Sequence, residues 1–129
     1  MESDVIVNRI HVIRGHNVIL DRDLAGLYEV DTKQLKRQVR RNLERFPVDF
    51  MFSLTQDEFE NLRCQFGTSI WGGSRYLPMA FTEQGVAMLA SVLNSPHAIQ
   101  VNIQIVRAFV PLRQMISSHD DLRKKIGFK

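Results

Sequence analysis

The sequence predicts a small α+β domain, because segments with strand periodicity alternate with segments that carry helix start signals. With 129 residues, 44% of them hydrophobic, the chain can bury a core without a metal or a disulfide. No repeat or linker divides it, so we expect a single domain with short β-hairpins, about five helices and a long C-terminal helix. We assign residues 1–112 to this domain and residues 113–129 to a helical extension or tail.

The N-terminal segment is predicted to form a β-hairpin. A turn is expected at residues 14–17, and the apolar residues 18–20 are expected to return along the first strand. The first strand is indicated by β-branched residues at roughly alternate positions: Val5, Val7, Ile10, Val12 and Ile13.

Two helices joined by a tight turn are predicted next, in the pattern of a helix-turn-helix. Asp21 is a suitable N-cap for the first helix, and Asp31 for the second. In the second helix, predicted over Thr32–Arg45, Gln34 can pair with the cap. Val30 and Leu35 can form a hydrophobic staple. The apolar side of this helix is predicted to consist of Leu35, Val39 and Leu43.

Glu29 stands at the turn position that favours a left-handed backbone. A residue other than glycine costs about 1 kcal/mol there. We therefore expect this turn to differ in shape from that of a standard helix-turn-helix.

The remaining elements are predicted from caps and turns. Residues 49–54 are predicted as a strand, and Thr55 with Glu58 as a capping box that opens a helix. Short strands at residues 68–71 and 75–79 flank Gly72-Gly73. Thr82 is expected to cap a helix that ends near Asn94, and Pro96 to open the longest helix. Pro111 should kink or end that helix.

Charge is concentrated on the second helix of the pair. The formal net charge is only +3, but six basic residues and one acid, Glu44, lie between Lys33 and Arg45. Like charges one turn apart repel by a few tenths of a kcal/mol, so a solvated face usually mixes signs. We favour duplex DNA as the partner over a plain solvated face. The predicted contacts are Thr32, Lys33, Gln34, Lys36, Arg37, Gln38, Arg40 and Arg41.

The hairpin around Gly72-Gly73 offers a further contact. Arg75 follows the glycines and is predicted to touch a phosphate, as in a wing beside the DNA-binding helix. A plain surface hairpin, with Trp71 packed on the core, is an equal alternative.

Catalysis and metal binding have little support, and no cofactor is expected. Cys64 is more readily explained as a buried structural thiol than as a nucleophile. A single cysteine and no apparent signal peptide or membrane span predict a cytoplasmic, nucleoid-associated protein. The four histidines lack the spacing of zinc ligands: His11, His16, His97 and His119.

Several motifs together resemble the phage ORF-six N-terminal (ORF-N) domain family. They include LDRDLA at residues 20–25, RFP at 45–47, DFMF at 49–52 and the specific run FTEQGVAML at 81–89. The resemblance implies a DNA-binding domain of phage, prophage and bacterial proteins, similar to the KilA N-terminal and Bro N-terminal domains. Such domains often begin antirepressors or transcription regulators.

The resemblance leaves two mechanisms open, because an antirepressor can occupy DNA or capture a repressor protein.

The last helix is apolar on two sides, which predicts a homodimer packed through this helix. The alternative is that the N-terminal hairpin covers the second apolar side of this helix within one chain. One apolar side of the helix consists of Ile99, Ile103, Val106 and Val110. The other consists of Val101, Ile105, Phe109 and Leu112.

Overall fold

The computed structural model describes the backbone of residues 3–66 and 77–125, and the side chains of residues 5–64 and 77–112. Six helices and four strands in this part of the chain confirm the predicted α+β class with a long C-terminal helix. A 3-10 turn, Leu43–Arg45, follows α3. The elements in chain order are α1 (Ser3–Val7), β1 (Ile10–Ile13), β2 (His16–Leu20), α2 (Asp21–Tyr28), α3 (Thr32–Arg41), β3 (Met51–Ser53), α4 (Gln56–Phe66), β4 (Met79–Phe81), α5 (Glu83–Leu93) and α6 (Pro96–Lys125).

The predicted N-terminal hairpin is present, with a shorter turn than expected. β1 and β2 pair antiparallel, with Ile13 opposite His16, so only Arg14 and Gly15 form the loop. Both loop residues have positive φ, 55° and 79°. A two-residue loop of this kind matches the right-handed twist of the strands that it joins.

The four strands form one antiparallel sheet in the order β1-β2-β4-β3. Although β4 has only three residues, it lies inside the sheet and all three are buried. The strand predicted at residues 75–79 is therefore partly wrong in position, because β4 is Met79–Phe81 and extends to the residue before the Thr82 cap. Residues 67–76, including Gly72-Gly73, lie outside the described part of the chain.

The first helix corrects another prediction, because Val5 and Val7 belong to α1 and not to a strand. Ile6 is fully buried in the same hydrophobic cluster as residues of α6. α1 and α6 pack against each other. Burial of Ile6 therefore decides the local structure over the β preference of its neighbours.

The sheet separates two hydrophobic clusters. Ile19 and Phe81 face the larger cluster, which α1, α2, α3, α5 and α6 complete. Val18, Leu20 and Ala80 point the other way, against α4. This alternation is what a period of two residues requires in a strand that is covered on both sides. α2 and α3 are thereby held on one face of the sheet.

α6 is buried along one side only. Val101, Ile105 and Phe109 are buried, whereas Ile99 is 50% exposed and Ile103 and Val110 are also exposed. The N-terminal hairpin therefore does not cover the second apolar side, and that alternative is wrong. Pro111 lies inside α6 and does not end it, so the expected boundary after residue 112 falls within a continuous helix. None of the described helices has the length and apolar content to cross a membrane.

Candidate nucleic-acid interface

The turn between α2 and α3 keeps a left-handed residue despite the absence of glycine. Glu29 has φ 59° and ψ 44°. Its N–H donates to Gly26 O at 3.3 Å, and the N–H of Val30 donates to Ala25 O at 2.9 Å. This pair of bonds is a Schellman motif. The prediction of a different turn shape is therefore wrong, because the two bonds hold Glu29 in the costly conformation.

The side chain of Glu29 also reaches the start of α6. His97 Nε2 lies 2.9 Å from Glu29 Oε2. Both side chains are well exposed, so the pair contributes little to stability. It nevertheless places the beginning of α6 beside the turn of the helix pair.

α3 is shorter than the sequence predicted. Asp31 occupies the N-cap position, but its side chain accepts no capping hydrogen bond, so the expected pair with Gln34 is not formed. At the other end Asn42 leaves the helical conformation, with φ −127°, and its Nδ2 donates to Gln38 O at 2.9 Å. Leu43 is consequently exposed. The predicted helix Thr32–Arg45 is thus wrong over its last four residues.

Leu35 and Val39 are fully buried and fix which side of α3 faces outward. Thr32 and Gln38 are half-buried at the margins. At 100° per residue the exposed side chains span an arc of about 120°. They are Lys33, Gln34, Arg37, Arg40 and Arg41.

This exposed arc, which we call the basic face of α3, borders a concavity with a volume of about 510 Å³. In the described part of the chain, cationic side chains line this concavity: Lys33, Lys36, Arg37, Arg40 and Arg41. Arg9, Arg14 and Arg63 elsewhere each pair with a carboxylate. Among the described residues, Lys33, Arg37, Arg40 and Arg41 form no ion pair. Their charge therefore projects outward and attracts anions.

A comparison with protein-family models matches residues 8–92, 85 of the 129 residues, to the ORF6N domain. The chain belongs to the ORF6N domain family. The resemblance seen in the sequence motifs is thereby confirmed. The comparisons with curated proteins and with solved structures found no match.

The residues that match the ORF6N domain contain the four-stranded sheet, the α2–α3 pair and all of α5 except its last residue. α1 and α6 lie outside the match. The family assignment thus covers the basic face of α3 and the layers that hold it, and it indicates a phage-type regulatory domain.

Lys36, one of the predicted DNA contacts, is buried and does not lie on the basic face of α3. It is 9% exposed. Its Nζ lies 3.5 Å from Asp21 Oδ2 and donates to Leu77 O at 3.3 Å. Its angular position, about 100° from Leu35, lies between the buried and exposed arcs. Asp21 provides a buried carboxylate that draws the ammonium group inward.

Asp21 is the residue whose role the sequence interpretation missed. It is the first residue of α2, with Leu20 in the N-cap position, and it is only 2% exposed. Its carboxylate accepts hydrogen bonds from the N–H of Arg22 at 2.6 Å and of Met79 at 3.0 Å. The pattern of a helix-capping acid gives no signal for the contact with Met79, which is 58 residues away in the chain.

Some of the other predicted sites lie within the described residues, and some lie outside them. Arg75 and Trp71 lie outside the described residues. Cys64 is exposed, so its predicted burial is wrong. Within the described residues, no three His, Cys, Asp or Glu side chains are placed to hold a metal.

Proposed function

We propose that this ORF6N domain binds duplex DNA through the basic face of α3, as part of a phage-type transcription regulator or antirepressor. One observation carries the proposal. Four exposed cations on one helix face have no carboxylate partner among the described residues: Lys33, Arg37, Arg40 and Arg41. A DNA backbone supplies the negative charge that this face lacks.

The order of residues along α3 suggests how contacts divide between bases and phosphates. Lys33 and Gln34 lie in the first turn and Arg37 in the second, on the outermost arc. In a helix-turn-helix the N-terminal residues of the second helix enter the major groove. Arg and Gln can each make two hydrogen bonds to a purine edge. Arg40 and Arg41 lie further along and are placed for phosphates.

A mobility-shift assay at several salt concentrations tests the proposal. Neutralising about four phosphates gives a log–log salt slope of roughly −3 to −5. Replacing Lys33, Arg37 and Arg40 together by Ala should abolish binding and leave the fold intact, since all three side chains are exposed.

A control variant with the same change in net charge replaces Arg63, Arg107 and Arg113, which lie outside α3, by Ala. It should bind nearly as tightly as the unchanged protein. Equal loss in both triple variants would mean that net charge alone drives binding, and no loss in the α3 variant would end the proposal.

We also propose that two copies of the chain pack through α6. The partly exposed side of α6 carries apolar residues at spacings of four, three and four, as in a coiled-coil seam. These residues are Ile99, Ile103, Val106 and Val110. A dimer of this kind carries two copies of α3 and can place both on one duplex.

The alternative function is capture of a repressor protein, with DNA binding secondary. The same apolar side of α6 favours it, because a monomer leaves that side free for another protein. A monomeric chain that fails to shift any duplex at low salt would favour this alternative.

A further inference from the structure

A buried ion pair joins α3 to two other elements. Lys36 of α3 and Asp21 of α2 are almost completely buried, and their charged groups are 3.5 Å apart. Burying two charges is costly unless each also finds hydrogen-bond partners. Here each charged group has a second partner on the main chain that leads into β4.

Those second partners lie on two nearly adjacent residues. Lys36 Nζ donates to Leu77 O at 3.3 Å, and Asp21 Oδ2 accepts from Met79 N at 3.0 Å. Between them, Pro78 O accepts from the N–H of Leu54 at 3.0 Å. The segment that enters β4 is therefore attached by hydrogen bonds to α2, α3 and the segment that follows β3.

We infer that Lys36 is a positioning residue. With Asp21 it ties α3 to α2 and to the start of β4, and so fixes the direction in which the basic face of α3 points. The consequence of this contact for DNA binding rests on the proposed function. The tie itself is a property of the folded chain and can be tested without DNA.

Three observations favour a positioning role over a phosphate contact. The Lys36 side chain is buried, whereas the other cations of α3 are exposed. Its ammonium group is engaged by a carboxylate and a carbonyl. Leu35 and Val39 hold the helix by apolar contact, which is non-directional. The Lys36 contacts add a directional constraint on the rotation of α3 about its own axis.

The first experiment measures thermal unfolding of Lys36→Met, Asp21→Asn and the double variant, without DNA. Each single change leaves one buried charge without its partner and should lower the Tm by on the order of 10 °C. The double variant should lose less than the sum. Small and additive Tm shifts would mean that Lys36 and Asp21 do not stabilise each other, and would overturn the inference. If Lys36→Met fails to fold, Lys36→Gln, which retains a donor for Leu77 O, replaces it.

The second experiment measures DNA affinity at a temperature where all variants are folded. The positioning role predicts weaker binding by at least about threefold for both Lys36→Met and Asp21→Asn. An effect of charge alone predicts tighter binding for Asp21→Asn, because removing a carboxylate near a polyanion favours binding.

The remaining outcomes separate the explanations. If Lys36 contacts a phosphate, Lys36→Met reduces the salt slope by about one and Asp21→Asn binds more tightly. If the pair is only structural, all folded variants bind like the unchanged protein. Either result overturns the positioning role. If the unchanged protein binds no DNA, the proposed function fails, and the unfolding experiment still decides whether the tie exists.

Discussion

Gly85 shows how a single atom limits the contact between α5 and Phe50, the residue that precedes β3. A Cβ at this position would overlap the carbonyl oxygen of Phe50. That oxygen accepts a hydrogen bond from the N–H of Thr82 at 3.0 Å, and the Thr82 hydroxyl donates to Asp49 O at 2.8 Å and lies 3.2 Å from Phe50 O. Thr82 Oγ1 in turn accepts from the N–H of Gly85 at 3.3 Å. The Thr and Gly of the FTEQG motif are therefore both needed for this close approach.

We predict that Gly85→Ala lowers the free energy of unfolding by about 2 kcal/mol or more, because the backbone of Phe50 must move. Gly26→Ala is the matched control. Gly26 lies inside α2 and a Cβ there meets nothing within 4 Å, so this change should stabilise the protein by about 0.5–1 kcal/mol. Urea unfolding measures both. Similar effects of the two substitutions would contradict the proposed overlap.

Glu29 allows backbone strain to be separated from side-chain contact. Glu29→Gly and Glu29→Ala both remove the pair with His97, so they differ only in how each residue accepts φ 59°. The free energy of unfolding should be higher for the Gly variant than for the Ala variant by about 1 kcal/mol. Denaturant unfolding of the two variants gives this difference directly. Equal stabilities would mean that the turn relaxes in the Ala variant.

At the scale of elements, the start of α4 combines a local signal with a distant partner. The predicted capping box is confirmed, since Thr55 N donates to Glu58 Oε1 at 2.8 Å and Glu58 N to Thr55 Oγ1 at 3.2 Å. Arg14, in the turn of the N-terminal hairpin, also donates to both oxygens of Glu58 at 2.8 and 2.9 Å. The hydrogen bond from Arg14 is the main reason that the pKa of Glu58 falls to about 2.

This lowered pKa predicts a pH dependence of stability. Glu58 stays ionised to lower pH in the folded state than in the unfolded state, so its contribution is complete above about pH 4.5. The contribution is lost as the pH falls toward 2. Between pH 5 and pH 2.5 the Tm should therefore drop more in the unchanged protein than in Glu58→Gln.

Asp57→Asn is the control, because it removes a neighbouring carboxylate of the same helix turn. Burial raises the pKa of Asp23, which acts in the opposite direction, but Asp23 is common to all three proteins. An equal drop in Tm for Glu58→Gln and the unchanged protein would show that the pair with Arg14 has no influence on acid stability.

At the scale of the whole molecule, the dimer that we propose is formed through α6. We predict that light scattering gives about twice the 14.9 kDa mass of one chain, and that Ile99→Glu with Ile103→Glu gives a monomer. Both side chains are exposed in one chain, so the monomer should remain folded. Val48→Glu, at another exposed apolar residue, should stay dimeric. A mass near 14.9 kDa for the unchanged protein at high micromolar concentration would rule out this dimer.

Assembly also bears on DNA affinity. In a dimer the second α3 binds intramolecularly once the first is in place, which raises affinity without a new contact. The monomeric variant should thus bind DNA more weakly although its basic face is unchanged. Unchanged affinity would mean that each chain binds independently.

The sequence by itself determined the features that depend on a few consecutive residues. The α+β class, the cap at Thr82, the capping box at Thr55 and the exposed cations of α3 follow from local signals. A cap spans four residues and a helix face repeats within two turns, so their physical causes are contained in short windows. These features could be predicted with no knowledge of what lies nearby in space.

The tertiary structure alone decided the features whose partners are distant in the chain. Lys36 turns inward because Asp21 and Leu77 lie beside it. β4 is a strand because β2 and β3 supply its hydrogen bonds on both edges. Ile6 is helical because α6 covers it. In each case the free energy of a contact between distant residues outweighs a local preference that is worth at most about 1 kcal/mol.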